Sequence, residues 1–102
     1  MALFVMFHSP GPAWDHALPY AEQPGVMEHI GFMRSLDERG VMILGGPFES
    51  AETGEPVGMV VAEAEDLAAA RALAVEDGSL RSGLLTANVR PWRPRMGRAL
   101  RG

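Results

Sequence analysis

The sequence predicts a single α+β domain, and two observations lead to this prediction. Four short apolar runs alternate with two stretches of helical periodicity, in the order β-α-β-β-α-β. The chain has 102 residues, of which 47% are hydrophobic, so it can build one core and is too short for two ordinary domains. Residues 1–102 are therefore expected to form one domain, with a core fold over residues 1–90 and a basic C-terminal tail over residues 91–102.

The first strand and the first helix are separated by a loop rich in proline. Residues 3–8 (LFVMFH) form an apolar run that stops at residues 9–12 (SPGP), which is typical of a strand entering a loop. Residues 25–39 then place apolar side chains at helical spacing, and Gly40 supplies the residue that ends a helix. A strand followed by a helix is therefore predicted here.

Two further apolar runs, residues 41–44 (VMIL) and residues 58–62 (GMVVA), lie on either side of a polar segment. That segment, residues 49–56, is rich in residues that favour turns. The two runs are therefore predicted to pair as an antiparallel hairpin.

The last two elements complete the topology. Asp66 can cap a helix over residues 67–76, whose alanines favour helix formation, and residues 84–89 form the last apolar run before Pro91. The order β-α-β-β-α-β predicts a ferredoxin-like fold, with two helices on one face of a four-stranded antiparallel sheet.

The second face of this sheet is also predicted to be apolar. In the first strand both alternating sets of side chains are apolar, whereas a sheet with one wet face should alternate. Two helices on one face cannot cover the other face. We therefore expect a homodimer in which two sheets pack face to face as a dimeric α+β barrel. The alternative is that short strands expose apolar side chains to water.

Charge and composition exclude several classes of function. Residues 1–80 hold all 13 acidic residues and three arginines, whereas residues 81–102 hold six arginines and no acid. A net charge of −4 without a basic and aromatic stripe argues against nucleic-acid binding, so the tail is expected to be solvated or paired within the chain rather than bound to phosphate. The sequence has no cysteine and no signal peptide or membrane span. A cytoplasmic protein is expected.

His29 is the most informative residue, because its position on the helical wheel lies within the apolar arc. A buried imidazole is either a hydrogen-bonded core residue or a general base, and periodicity leaves both alternatives open. Asp77, which follows the second helix on the same side of the sheet, could orient the ring. It could equally be an exposed turn residue.

The loop from Ser9 to Pro24 is long and aromatic for so small a domain, and long loops of this kind are often functional. Trp14, His16 and Tyr20 are therefore candidates for a substrate lid.

His8, Asp15 and His16 lack a regular ligand spacing, so no metal site is predicted. No cofactor motif is present in the sequence.

Residues 29–48 (HIGFMRSLDERGVMILGGPF) resemble the H-x6-L-x3-G helix and the Gly-Pro strand end of the YCII (YciI-like) family. Residues 76–80 (EDGSL), with Gly83 following, are similar to the Asp-Asp-Pro-Phe segment of that family. Residues 46–49 (GPFE) are similar to the related DGPF subfamily. The resemblance extends from the first strand to about Val89. Gly78 stands where the family has proline, which is expected to loosen the turn that aims Asp77.

The resemblance implies a dimeric α+β barrel with a His–Asp dyad, carried over to His29 and Asp77. Family members with a known activity act as lyases or dehydrochlorinases on small cyclic or aromatic compounds without a cofactor. We expect proton transfer of that kind, an elimination or an isomerisation, with Pro47 and Phe48 among the substrate-binding residues. The alternatives are a non-catalytic small-ligand-binding or regulatory module, and a cofactor-free oxygenase.

Overall fold

The computed structural model describes residues 1–49 and 54–101, which form four strands and three α-helices. The strands are β1 (Ala2–Pro10), β2 (Met42–Pro47), β3 (Gly58–Ala64) and β4 (Leu85–Trp92). The helices are α1 (Val26–Glu38), α2 (Leu67–Ala74) and α3 (Gly78–Arg81). Among the described helices, none is long and apolar enough to cross a membrane.

The strands form one antiparallel sheet in the order β2-β3-β1-β4, which confirms the predicted ferredoxin-like α+β fold. The hairpin of β2 and β3 is present as predicted, although residues 50–53 of its predicted turn lie outside the described residues. Strand β4 continues to Trp92, so the sheet extends past residue 90, where the core was expected to end.

Helix boundaries agree with the capping signals of the sequence. Gly40 follows α1 with a φ of 74°, a conformation that glycine adopts at little cost and that ends a helix. The side chain of Asp66 accepts a hydrogen bond from the backbone N–H of Ala69, at 2.8 Å, and caps α2. The structure has a third helix, α3, in addition to the two helices that the sequence predicts. It is a single turn that begins directly after Asp77.

We call the face of the sheet under α1 and α2 the covered face. It carries the even-numbered side chains of β1 and β3, which pack against Phe32 and Leu36 of α1 and Ala70 and Ala74 of α2. The covered-face side chains are Phe4, Met6, His8, Val60, Ala62 and Ala64. His29 of α1 also faces the sheet and is buried, as its place in the apolar arc predicted.

The opposite face, which we call the open face, carries Leu3, Val5, Phe7, Met59 and Val61 together with side chains of β2 and β4 that lie beside them in register. Apolar side chains at its edges reach water, because Leu44 is 74% exposed and Trp92 is 49% exposed. The segment after β4 runs alongside this face, and Met96 and Leu100 border a groove of about 670 Å³ with the sheet. The open face is apolar, as the strand patterns predicted.

Candidate functional site

The candidate site lies on the covered face, where three elements bring polar side chains into an apolar core. His29 of α1 and Asp77, just before α3, are 4% and 0% exposed. Nδ1 of His29 lies 2.6 Å from Oδ2 of Asp77. An ionised carboxylate can only accept, so Nδ1 carries the hydrogen and donates it. The ring of His29 is therefore held in one tautomer, and its Nε2 makes no hydrogen bond within the described part of the chain.

Asp77 is fixed from two sides. Its Oδ1 accepts a hydrogen bond from the backbone N–H of Ser79, at 2.9 Å, so the same carboxylate that contacts His29 also caps α3. Burial raises the pKa of Asp77, but the hydrogen bonds from His29 and Ser79 outweigh burial and hold its pKa below the ordinary value. Asp77 is therefore a buried carboxylate that stays ionised.

The turn places Asp77 against His29 although Gly78 stands where the family has proline. The cap on α3 orients the carboxylate without help from residue 78. A Cβ added at residue 78 would meet Oε2 of Glu28, so the start of α3 lies close to the Glu28 side chain of α1.

His8 is the third polar side chain of the site, and sequence reasoning did not place it beside His29 and Asp77. It lies on β1 between Gly58 of β3 and Ala87 of β4, and it is 1% exposed. Its ring packs edge-on against His29, with centroids 4.7 Å apart. The signal was available in the sequence, because residue 8 shares the alternation of Phe4 and Met6 and so points to the same face.

The Nε2 atom of His8 is buried and has no hydrogen-bond partner in the described residues, although Oδ2 of Asp77 lies 3.9 Å away. Burial, together with the nearby His29, lowers the pKa of His8 to about 4, while Asp77 acts in the opposite direction. At neutral pH the ring is therefore uncharged. A buried polar atom without a partner is costly, and such atoms often mark functional sites.

A small cavity adjoins the two histidines. Its volume is about 20 Å³, which is room for about one water molecule. Tyr20 closes it from the loop side, with its ring 6.2 Å from that of His29. Burial and the charge of Asp77 raise the pKa of Tyr20. The other lining residues are mostly apolar: Met33, Gly46, Pro47, Val57, Gly58 and Met59.

The predicted substrate-binding residues are placed in different parts of the molecule. Tyr20 and Pro47 line the cavity, and Trp14 packs behind Tyr20 with ring centroids 6.3 Å apart. His16 is exposed on the loop and does not line the cavity. Phe48 lines the groove on the open face instead. Of the five predicted residues, Tyr20 and Pro47 therefore lie beside the histidines, and Trp14 lies behind Tyr20.

Gln23, which sequence reasoning did not single out, holds the loop over the cavity. It is 2% exposed, its Oε1 accepts a hydrogen bond from the backbone N–H of Asp15, and its Nε2 donates one to the carbonyl of Asp15. The amide also donates to the carbonyl of Leu18, at 2.8 Å. The start of the loop is tied to the sheet by the N–H of Gly11, which donates to the carbonyl of Leu84 at 2.8 Å. Tyr20 is thus carried by a well-bonded loop.

Comparison with known proteins identifies similar chains. The model of a family described as the YCII-related domain matches residues 2–93. A solved structure of 5-chloro-2-hydroxyhydroquinone dehydrochlorinase from Burkholderia phenoliruptrix AC1100, in complex with 2,5-dihydroxybenzoquinone, is similar with a TM-score of 0.66 and 20% sequence identity. The similarity covers 91% of this chain and 95% of that one. At this identity the likeness establishes the fold. No curated protein matches the sequence.

Proposed function

The chain belongs to the YCII-related domain family, and we propose that it is a small enzyme whose His29 and Asp77 transfer a proton on a small cyclic or aromatic substrate without a cofactor. The observation that carries the proposal is the 2.6 Å hydrogen bond between these two buried side chains, of which His29 lines the small cavity. Buried imidazole–carboxylate pairs are typical of general acid–base sites. The resemblance of residues 29–48 and 76–80 to the family motif supports the same two residues.

The proposed step begins with Nε2 of His29, the ring nitrogen that Asp77 leaves free. It takes a proton from a carbon or an oxygen of the substrate, and the released electron pair forms a new double bond. In an elimination the leaving group departs with its own electron pair. In an isomerisation the imidazolium returns the proton to a different atom. The carboxylate of Asp77 holds the tautomer and balances the positive charge of the imidazolium.

Substrate entry requires movement, because a cavity of about 20 Å³ cannot hold an aromatic ring. Tyr20 is half-buried and lies between the cavity and the loop, so we propose that the loop with Trp14, His16 and Tyr20 moves as a lid. Pro47 would contact the bound ring from the end of β2. Phe48 would reach the substrate only from the open face, where it lines the second groove.

We further propose that two copies pair through their open faces. The exposed Leu44 and Trp92 lie on this face, and apolar patches of this kind usually mark interfaces. Face-to-face packing of two sheets would cover them. The dyad itself lies on the covered face and uses residues of one chain.

Turnover of 5-chloro-2-hydroxyhydroquinone, the substrate in the name of the structural neighbour, is the first assay. Chloride release by ion chromatography would report elimination, and exchange of ring protons with deuterium would report proton transfer without elimination. We expect His29→Gln and Asp77→Asn each to lower turnover by about 10²–10⁴-fold. Asp37→Asn is the matched control, since Asp37 is exposed on α1. Equal rates in all three variants would contradict the dyad.

The small cavity favours a second candidate function, a ligand-binding module in which His29 only forms a hydrogen bond. In that case 2,5-dihydroxybenzoquinone, the ligand of the structural neighbour, would bind without any turnover of ring compounds. Calorimetric binding combined with unchanged ring protons and no released chloride would support this candidate over the enzyme.

A further inference from the structure

We propose that His8, His29 and Asp77 form a binding site for one divalent transition-metal ion such as Zn²⁺. Nε2 of His8, Nδ1 of His29 and Oδ2 of Asp77 come from β1, α1 and the turn before α3. A set of ligand atoms from these three residues lies within 4.8 Å of one another. The sequence led us to expect no metal, because His8, Asp15 and His16 lack a regular ligand spacing. The proposal goes beyond the proposed function and does not rest on it.

His8 adds the third ligand to the pair formed by His29 and Asp77. Its side chain is 1% exposed, and its Nε2 lacks a hydrogen-bond partner in the described part of the chain. Oδ2 of Asp77 lies 3.9 Å from this nitrogen, which is too distant for a hydrogen bond. One ion placed between the two atoms could bind both of them. Coordination would satisfy the buried nitrogen, whose desolvation is otherwise uncompensated.

The distances fit an ion after small side-chain movements. Zn²⁺ binds nitrogen and oxygen at about 2.0–2.1 Å with tetrahedral geometry, which places ligand atoms about 3.3 Å apart. The two distances involving Oδ2 of Asp77 are 2.6 Å, to His29, and 3.9 Å, to His8, one below and one above this spacing. The cavity of about 20 Å³ beside both histidines could hold one water molecule as a fourth ligand.

The donor set selects the class of ion. Two imidazole nitrogens and one carboxylate oxygen suit Zn²⁺ and Co²⁺, whereas Mg²⁺ and Ca²⁺ prefer ligands that are all oxygen. The second oxygen of Asp77 is held by the N–H of Ser79, at 2.9 Å, and partners of this kind orient metal ligands. The carboxylate also offsets one of the two positive charges.

An ion in this site competes with a proton. It would take the position of the hydrogen between Nδ1 of His29 and Oδ2 of Asp77, so binding releases that proton to solvent. The ion would therefore also block proton transfer by the dyad. Metal binding and proton transfer differ in their use of His8. The metal site requires the His8 side chain as a ligand, whereas the proposed proton transfer uses only His29 and Asp77.

Titration calorimetry with Zn²⁺ tests the site, in two buffers that differ in ionisation enthalpy. We expect one ion per chain and release of about one proton, with no binding of Mg²⁺. His8→Phe keeps a planar ring without ligand atoms and should weaken Zn²⁺ binding at least tenfold. His16→Phe, at an exposed histidine, is the matched control and should bind normally. Wild-type affinity in His8→Phe, or no binding by the wild type, would overturn the proposal.

Cobalt binding to His8→Cys gives a direct signature of the ligand. The chain has no other cysteine, so a thiolate-to-cobalt charge-transfer band in the near ultraviolet can come only from residue 8. Melting curves recorded with a chelator establish that each variant is folded. A folded His8→Cys variant that binds Co²⁺ without this band would overturn the proposal. Loss of turnover in His29→Gln and Asp77→Asn, measured with a chelator present, would support the proposed function separately from the metal site.

Discussion

The two faces of the sheet place polar and apolar side chains in opposite ways. The covered face buries His8, and the elements packed on it bury His29 and Asp77, among apolar neighbours. The open face leaves Leu44 and Trp92 partly or largely in contact with water. Buried polar groups are costly unless they are paired or functional, and exposed apolar groups favour association. This contrast is the reason that we propose chemistry on the covered face and contact with a second copy on the open face.

The largest expected effect is on the packing of the covered face. Met6 is 0% exposed and contacts both helices through the core, so Met6→Ala should lower the free energy of unfolding by about 4 kcal/mol. Leu44→Ala on the open face should lower it by less than about 0.5 kcal/mol. Urea unfolding followed by circular dichroism measures the free energy of unfolding of both variants. The protein concentration is kept below the level at which a dimer would form. Similar losses would remove the contrast between the two faces.

The second prediction compares a buried cap with an exposed one. Asp77→Ala leaves Nδ1 of His29 and the N–H of Ser79 without their partner, and should cost about 3 kcal/mol. Asp66→Ala removes only an exposed hydrogen bond to Ala69 and should cost about 1 kcal/mol. Denaturant unfolding of the two variants at pH 7 measures the difference. A larger loss for Asp66→Ala would contradict the structural role given to Asp77.

The third prediction concerns acid and His8. Its pKa is about 4 in the folded chain and 6.5 for an ordinary histidine, so the unfolded chain binds the proton more readily. Stability is therefore highest above pH 6.5 and falls as the pH drops toward 4, by about 2–3 kcal/mol at pH 4.5. The lowered pKa of Asp77 acts only below its ordinary value of 3.8, outside this window.

The measurement is urea unfolding at pH 7.5 and at pH 4.5 in the presence of a chelator. His8→Phe should lose about 2–3 kcal/mol less than the wild type over this interval, since it has no group to protonate at this position. His16→Phe should behave like the wild type, because His16 is exposed. The idea fails if the wild type and His8→Phe show the same acid sensitivity.

The smallest effect on monomer stability is expected on the open face. Leu44→Asp should change the free energy of unfolding of the monomer by less than about 0.5 kcal/mol, because Leu44 is 74% exposed. It should nevertheless abolish self-association by placing a charge in the proposed interface. Met27→Asp is the control, since Met27 is 64% exposed on α1, away from the sheet. Light scattering that finds the wild type monomeric at micromolar concentration would refute the dimer.

The fold was accessible from the sequence because each element carries a local signal. The alternation in β1, the spacing from Val26 to Leu36 and the cap at Asp66 each depend on neighbours within a few residues. The same periodicity indicated that His29 faces the sheet. The one-turn helix α3 has no such signal, because four residues are too few for a helical period. It was therefore missing from the prediction.

The sequence predicted the candidate site only in part, because the residues that form it lie far apart in the chain. The resemblance paired His29 with Asp77, 48 residues away, yet no pattern joined His8 to them. Sequence reasoning grouped His8 with Asp15 and His16, whereas the structure leaves Asp15 and His16 exposed on the loop. Nearness along the chain was misleading here, since a loop and a strand that adjoin in sequence can face different surroundings.

The sequence by itself determined the order of the elements, the apolar character of both sheet faces and the inward direction of His29, because these follow from residue type and spacing. Only the tertiary structure decided that His8 meets His29 and Asp77, that Tyr20 closes the cavity, and that Phe48 lies on the other side of the sheet. Contacts between distant residues depend on strand register and helix packing. Those are properties of the assembled chain, which no local pattern encodes.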